Sequence, residues 1–168
     1  MTSYRAPYDN VVRGVTVFAG GILLGVALLL FGIAIAVDVA FIRLLFVVLA
    51  IGVLAIVVLS YLWAPKSYRI APGEVVVERP AGALRFALDA PVDAWRTDRF
   101  RRSIRTGGNG GLFGAYGRFR NGDLGSFRTY ARRSRDYVVV RTASQTVVFG
   151  PDDPDRFADE VRRAATRA

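Results

Sequence analysis

Arginine dominates the chemistry that this sequence can offer. The 168 residues include 22 arginines and a single lysine, Lys66, against 14 acids, for a net charge of +9. Eleven of the arginines (96, 99, 101, 102, 105, 118, 120, 128, 132, 133 and 135) fall between Arg96 and Arg135, offset only by Asp98 and Asp123. That stretch of 40 residues holds an excess of nine positive charges, as large as that of the whole chain. A guanidinium group is planar, permanently charged and able to grip a phosphate or carboxylate through two parallel N–H bonds. The run therefore predicts attraction to anionic neighbours, whether lipid headgroups or an acidic membrane protein. The plain alternative is an evenly solvated surface, because strand alternation can send these side chains in several directions. The residues expected to meet an anionic surface are Arg96, Arg99, Arg101, Arg102, Arg105, Arg118 and Arg120.

Other chemistries have less support. The sequence contains no cysteine and no histidine, which removes disulfides, thiolate nucleophiles and the commonest near-neutral acid–base group and metal ligand. Ser103, Ser126, Ser134 and Ser144 have no histidine to activate them. The acids Asp152, Asp153, Asp155, Asp159 and Glu160 sit where a helix start explains them, and they lack the spacing of a calcium loop. The run Thr106-Gly107-Gly108-Asn109-Gly110-Gly111 can cradle a phosphate with backbone N–H groups, but no Gly-Lys-Ser/Thr follows and no helix begins there. It reads better as a flexible loop that lets Leu112, Phe113 and Tyr116 settle against the sheet or a membrane interface. The expectation is no catalysis, no cofactor and no metal. No nucleic-acid recognition motif is present either, so no nucleic acid is expected.

The elements that must position the arginines divide the chain in two. Residues 14–63 carry only two charges, Asp38 and Arg43. Gly14–Val37 and Leu44–Trp63 are uncharged runs of 24 and 20 residues. About 20 apolar residues in a helix cross the ~30 Å hydrocarbon core, so both runs predict transmembrane helices, over 14–37 and 44–63. The short connection between them makes an antiparallel hairpin. Gly21 and Gly25 form a GxxxG, extended by Gly14, Ala19 and Gly32, which suits helix–helix packing within the hairpin or in a homo-oligomer. Tyr61 and Trp63 stand where interfacial aromatics belong. Arg5 and Arg13 precede the first span and Lys66 and Arg69 follow the second, against Arg43 in the loop. The positive-inside bias thus places residues 1–13 and everything after the second span in the cytoplasm, in a multi-pass protein of the cell membrane.

Beyond Pro65 the pattern becomes alternating. Residues 67–70, 74–78, 84–88, 93–97, 112–120, 124–131, 137–141 and 146–149 read as strands, about seven in number if Asp93–Thr97 continues the strand before it. An Asn121-Gly122-Asp123 turn joins one pair. Asp153 as cap, Pro154 at the first helical position and the stripe Phe157, Val161, Ala164 and Ala165 predict a helix over about 153–166.

In this order the segments YRIAPGEVVVERP (68–80), GGNGGLFGAYGRF (107–119), LGSFRTYARR (124–133), DYVVVRT (136–142) and VVFGPDDPDRFADEV (147–161) resemble the bacterial pleckstrin-homology-like membrane proteins. The resemblance covers nearly everything beyond Pro65. It implies a membrane-anchored α+β protein in which a two-helix transmembrane hairpin precedes a PH-like β-barrel, residues 66–168, closed by a C-terminal helix. It also implies a non-enzymatic role, but not a phosphoinositide ligand, because fold alone does not assign function. Two functions fit: a module whose arginine-rich face holds to anionic lipid or a membrane partner, and an oligomerising scaffold that recruits another membrane protein, with lipid contact incidental.

Overall fold

The computed structural model describes residues 2–98 and 103–166. Its elements follow the order β1 (Thr2–Arg5), α1 (Asn10–Ala36), α2 (Ala40–Trp63), β2 (Ser67–Ala71), β3 (Glu74–Glu78), β4 (Leu84–Ala87) and β5 (Asp93–Thr97). Then come β6 (Ile104–Gly111), β7 (Gly114–Asn121), β8 (Gly125–Ala131), β9 (Tyr137–Arg141), β10 (Thr146–Phe149) and α3 (Pro154–Thr166).

The helices α1 and α2 pack along a line of small residues, with Ala27, Ala34 and Ala50 buried between them. Asp9 starts α1 by accepting the Val12 N–H at 2.8 Å. Arg43 folds back from α2 and donates to the Val37 carbonyl from Nε (3.1 Å) and Nη2 (2.9 Å), which satisfies the chain end of α1. Outward, the large side chains are open: Phe18 is 73% exposed and Phe41 77%. Both helices are long and apolar enough to cross a membrane.

The β strands form two sheets, ordered β1-β2-β3-β4 and β5-β9-β10-β8-β7-β6. Neighbours are antiparallel except β10 and β8. The first sheet contains a strand that the alternation pattern did not reveal. Thr2–Arg5, expected only as a tail before the first span, pairs with β2 from Thr2↔Ile70 to Arg5↔Ser67. Tyr4 thereby enters the core, edge-on to Phe157 at 5.1 Å. Four residues are too few to display a period, and only the partner strand makes them a strand. The helical hairpin thus stands where a turn would join β1 to β2, so the segment before α1 and the domain after α2 share one end of it.

The sheets face each other across one core. Tyr68, Val75, Val77 and Phe86 meet Val138, Val140, Val147 and Phe149, while Phe157 and Val161 of α3 close the end. The buried Tyr68 hydroxyl donates to the Tyr130 carbonyl (2.6 Å) and accepts the Gly150 N–H (3.3 Å), tying sheet to sheet; burial pushes its pKa far up. A smaller cluster, with Phe119, Phe127, Tyr137, Val139 and Val148, lies on the opposite face of the second sheet. In α3, Asp153 accepts the Arg156 N–H (3.2 Å) and Pro154 opens the helix.

Three expectations need correction. The described residues form ten strands, not about seven, and the two sheets stay open instead of closing into a barrel. The glycine run 106–111 is also no loop: it is most of β6, paired with β7 along its length. A bulge separates Arg105 from Gly107, after which the two backbones approach closely. Gly108 (φ +108°) and Gly117 (φ +119°) face each other. A Cβ on Gly108 would lie 2.3 Å from the Tyr116 carbonyl, and one on Gly117 2.4 Å from that of Gly107. Glycine is there because nothing larger fits between the strands.

Candidate functional site

The hairpin β6–β7 runs alongside the ends of the two apolar helices and is bonded to both. Its two-residue tip is apolar, Leu112-Phe113, with Phe113 in the left-handed region at φ +60°. The Phe113 N–H donates to Thr16 Oγ1 (2.9 Å), whose own hydroxyl donates to the Val12 carbonyl (2.8 Å). The ring meets Tyr61 edge-on at 5.5 Å, and Leu112 reaches within van der Waals range of Gly20. On the α2 side, the Tyr116 hydroxyl donates to the Ser60 carbonyl (2.6 Å), while Asn109 Nδ2 donates to Ser60 Oγ (3.0 Å) and to the Tyr116 oxygen (2.8 Å). Thr16 and Ser60, buried polar residues of the apolar helices, are thus both satisfied by this hairpin.

Register decides which arginines act together. In β7 and β8, Tyr116 faces Tyr130 and Arg118 faces Arg128. With a period of two, Arg118, Arg120 and Arg128 share the face of the two tyrosines, whereas Arg105 lies opposite Phe119 on the other face. These four guanidinium groups have no acidic partner among the described residues, and like charges directly across a ladder are unfavourable. Between this face and the last turn of α2 lies a groove of about 640 Å³, lined by Leu59, Trp63, Tyr116, Arg118, Arg128 and Tyr130. Arg79, from the loop after β3, lies with its guanidinium 5.2 Å from the Trp63 ring centroid. Burial pushes the Tyr130 hydroxyl pKa up, while the charges of Arg128, Arg79 and Arg118 pull it back down. Burial likewise raises that of Tyr116.

The remaining arginines are distributed differently. Arg96 pairs with Asp136 and, at 3.3 Å, with Asp155, so it is held within the domain. Arg133 bonds the Pro151 carbonyl (2.5 Å) and Asp136 (3.0 Å), and Arg132 lies over the Tyr8 ring at 4.4 Å. The hydrogen bond from Arg96 holds the Asp136 carboxyl below the usual aspartate range. Arg99, Arg101 and Arg102 lie outside the described residues. Of the C-terminal acids, Asp153 caps α3, while Asp155, Asp159 and Glu160 pair with Arg96, Arg162 and Arg156.

Gly21 and Gly25 stand away from α2: a Cβ at either would have nothing within 4 Å. The helical hairpin closes on alanines instead. Sequence reasoning missed Arg79 and gave Arg128 no separate role. Arg79 lies outside the arginine-rich run, and its only local signal was a position just after the strand 74–78.

No curated protein and no solved structure matches the chain. A family model described as Bacterial PH domain matches residues 66–165, from β2 through β10 and nearly all of α3, and leaves out β1. That match takes in well over half of the sequence and the whole arginine-bearing sheet, and the chain belongs to the bacterial PH domain family.

Proposed function

We propose that the chain is a non-enzymatic membrane-anchored module whose arginine face meets the anionic surface of the bilayer that its own two helices cross. One observation carries the reading: Arg118, Arg120 and Arg128 share a sheet face with no acidic partner among the described residues, and Arg118 and Arg128 lie beside the end of α2. Each basic residue near an anionic surface contributes about 1 kcal/mol, within a Debye length of ~8 Å at physiological salt. The apolar tip Leu112-Phe113, held level with Thr16 and Tyr61, suits the interfacial layer. Both flanks of the hairpin are the more basic side, which favours a cytoplasmic domain in the cell membrane.

The chain has no cysteine, so Ile104→Cys gives a single labelling site on exposed β6. Label depth is measured in nanodiscs of neutral and of mixed anionic lipid. The label should approach the bilayer in anionic lipid and withdraw in high salt; equal depth in both lipids sinks the reading.

The scaffold reading has its own support. At 100° per residue, Gly14, Gly21, Gly25 and Gly32 fall within about 20° of one line on α1, and a Cβ at any of them meets open space. Such a line allows close approach by a second copy or another membrane helix. Gly21→Leu with Gly25→Leu should abolish crosslinked multimers in native membranes if this face assembles.

A further inference from the structure

We infer that the groove between α2 and the β7–β8 face binds one anionic glycerophospholipid, with its phosphate between Arg118 and Arg128 and an acyl chain along Leu59 and Trp63. This rests on the membrane-surface reading above and adds a site to it. Three observations converge. Arg118 and Arg128 are direct cross-strand partners, a costly arrangement that an anion between them would relieve, and the described residues supply no carboxylate. Arg79 brings a third guanidinium, 5.2 Å from the ring centroid of Trp63 on the groove wall, and the Tyr130 hydroxyl in the same lining has no hydrogen-bond partner among the described residues. The facing wall is apolar: Leu59 and Trp63 belong to a helix whose outer side chains are open along its length. A free phosphate gains nothing from such a wall, whereas a lipid matches both halves. The volume of about 640 Å³ is within the range of small-ligand sites. Acidic protein segments could satisfy the arginines, but they would leave Leu59 and Trp63 unmatched.

Trp63 is a reporter inside the site. The sequence has two tryptophans, and Trp95→Phe leaves Trp63 alone. This full-length variant is reconstituted in phosphatidylcholine, and acyl-brominated phosphatidylglycerol or acyl-brominated phosphatidylcholine is titrated in. Quenching of Trp63 should saturate at a low fraction of the anionic lipid and rise only in proportion to the neutral one. Arg118→Gln with Arg128→Gln should lower that preference roughly tenfold or more, and Arg105→Gln, on the other face, should leave it unchanged. Gly107→Leu keeps every charge but extends a side chain from a position that is open and lines the groove, so it should remove the saturable phase. Equal quenching by both lipids, or a preference that survives the double arginine substitution, overturns the site. Quenching that follows the protein-to-lipid ratio instead assigns the groove to a second copy and also overturns it. If the label at position 104 still approaches anionic bilayers while Trp63 shows no saturation, the groove alone fails; loss of both responses sinks the surface reading as well.

Discussion

The two ends of the second sheet carry the same residue type to opposite effect. At the β5–β9 end, Arg96 and Arg133 converge on Asp136, and Arg96 reaches Asp155 as well. At the β7–β8 end, Arg118, Arg120 and Arg128 share one face with no acidic partner among the described residues. The first group spends its charge on the fold, bracing the loop before β9 and the start of α3. The second has no carboxylate among the described residues, and Arg118 and Arg128 lie where α2 meets the domain. A surplus of arginine is available for binding only where the fold supplies no partner, and among the described residues Arg118 and Arg128 stand that way beside α2.

The largest effect should come from removing the unpaired side altogether. Gly108→Val places a side chain onto the Tyr116 carbonyl at a backbone φ of +108°. We expect a loss of about 3 kcal/mol or more, read as a lowered unfolding midpoint, with β6 amides exchanging first. An unchanged midpoint would mean that the close pairing of β6 and β7 contributes little.

A smaller change sharpens the contrast from the other end. Asp136→Ala removes the acceptor shared by Arg96 and Arg133 and should cost up to about 1 kcal/mol in denaturant melts. It should also add salt-sensitive attraction to anionic vesicles, because Arg133 then keeps only the Pro151 carbonyl and Arg96 only Asp155. Arg118→Gln with Arg128→Gln should do the reverse, shifting stability by no more than ~0.5 kcal/mol while weakening lipid attraction. If both variants behave alike, the two groups of arginine are not distinct.

The smallest effect is in pH. Partial burial alone would raise the Asp9 pKa, but the Ser134 hydroxyl, the Val12 and Ser134 N–H groups and the Arg133 charge outweigh it, and the net shift is downward. Asp136 is lowered too, chiefly by Arg96. A carboxylate with a depressed folded-state pKa stabilises above its unfolded value and loses that contribution as pH falls through the folded one. Melting temperature should therefore hold steady down to about pH 4 and fall below it. Asp9→Asn with Asp136→Asn should flatten that fall; an identical acid profile would assign it to other groups.

The alternation of residues 67–149 and the cap at Asp153 made the anticipated strands and α3 legible, because in these elements the apolar period and the turn residues agree. β1 was not legible, since four residues show no period and its partner lies more than sixty positions away. β6 was misread for a different reason. Glycine without side chains looks like a flexible loop until a facing glycine shows that two backbones touch there. In the candidate site, the arginine excess and Trp63 at the end of the second apolar run were visible, while Arg79 was invisible because it joins the cluster only through the contact between the loop after β3 and α2.

The sequence by itself determined that charge and apolarity are segregated. Two uncharged runs of helix-spanning length and a cationic, alternating remainder follow from composition and period alone, since these depend only on neighbours along the chain. Tertiary structure alone decided which arginines are neutralised, which share a face, and that an apolar helix end borders them. Those properties depend on register and on contacts between residues far apart in sequence, where a shift of one position would turn Arg118 and Arg128 to the opposite face.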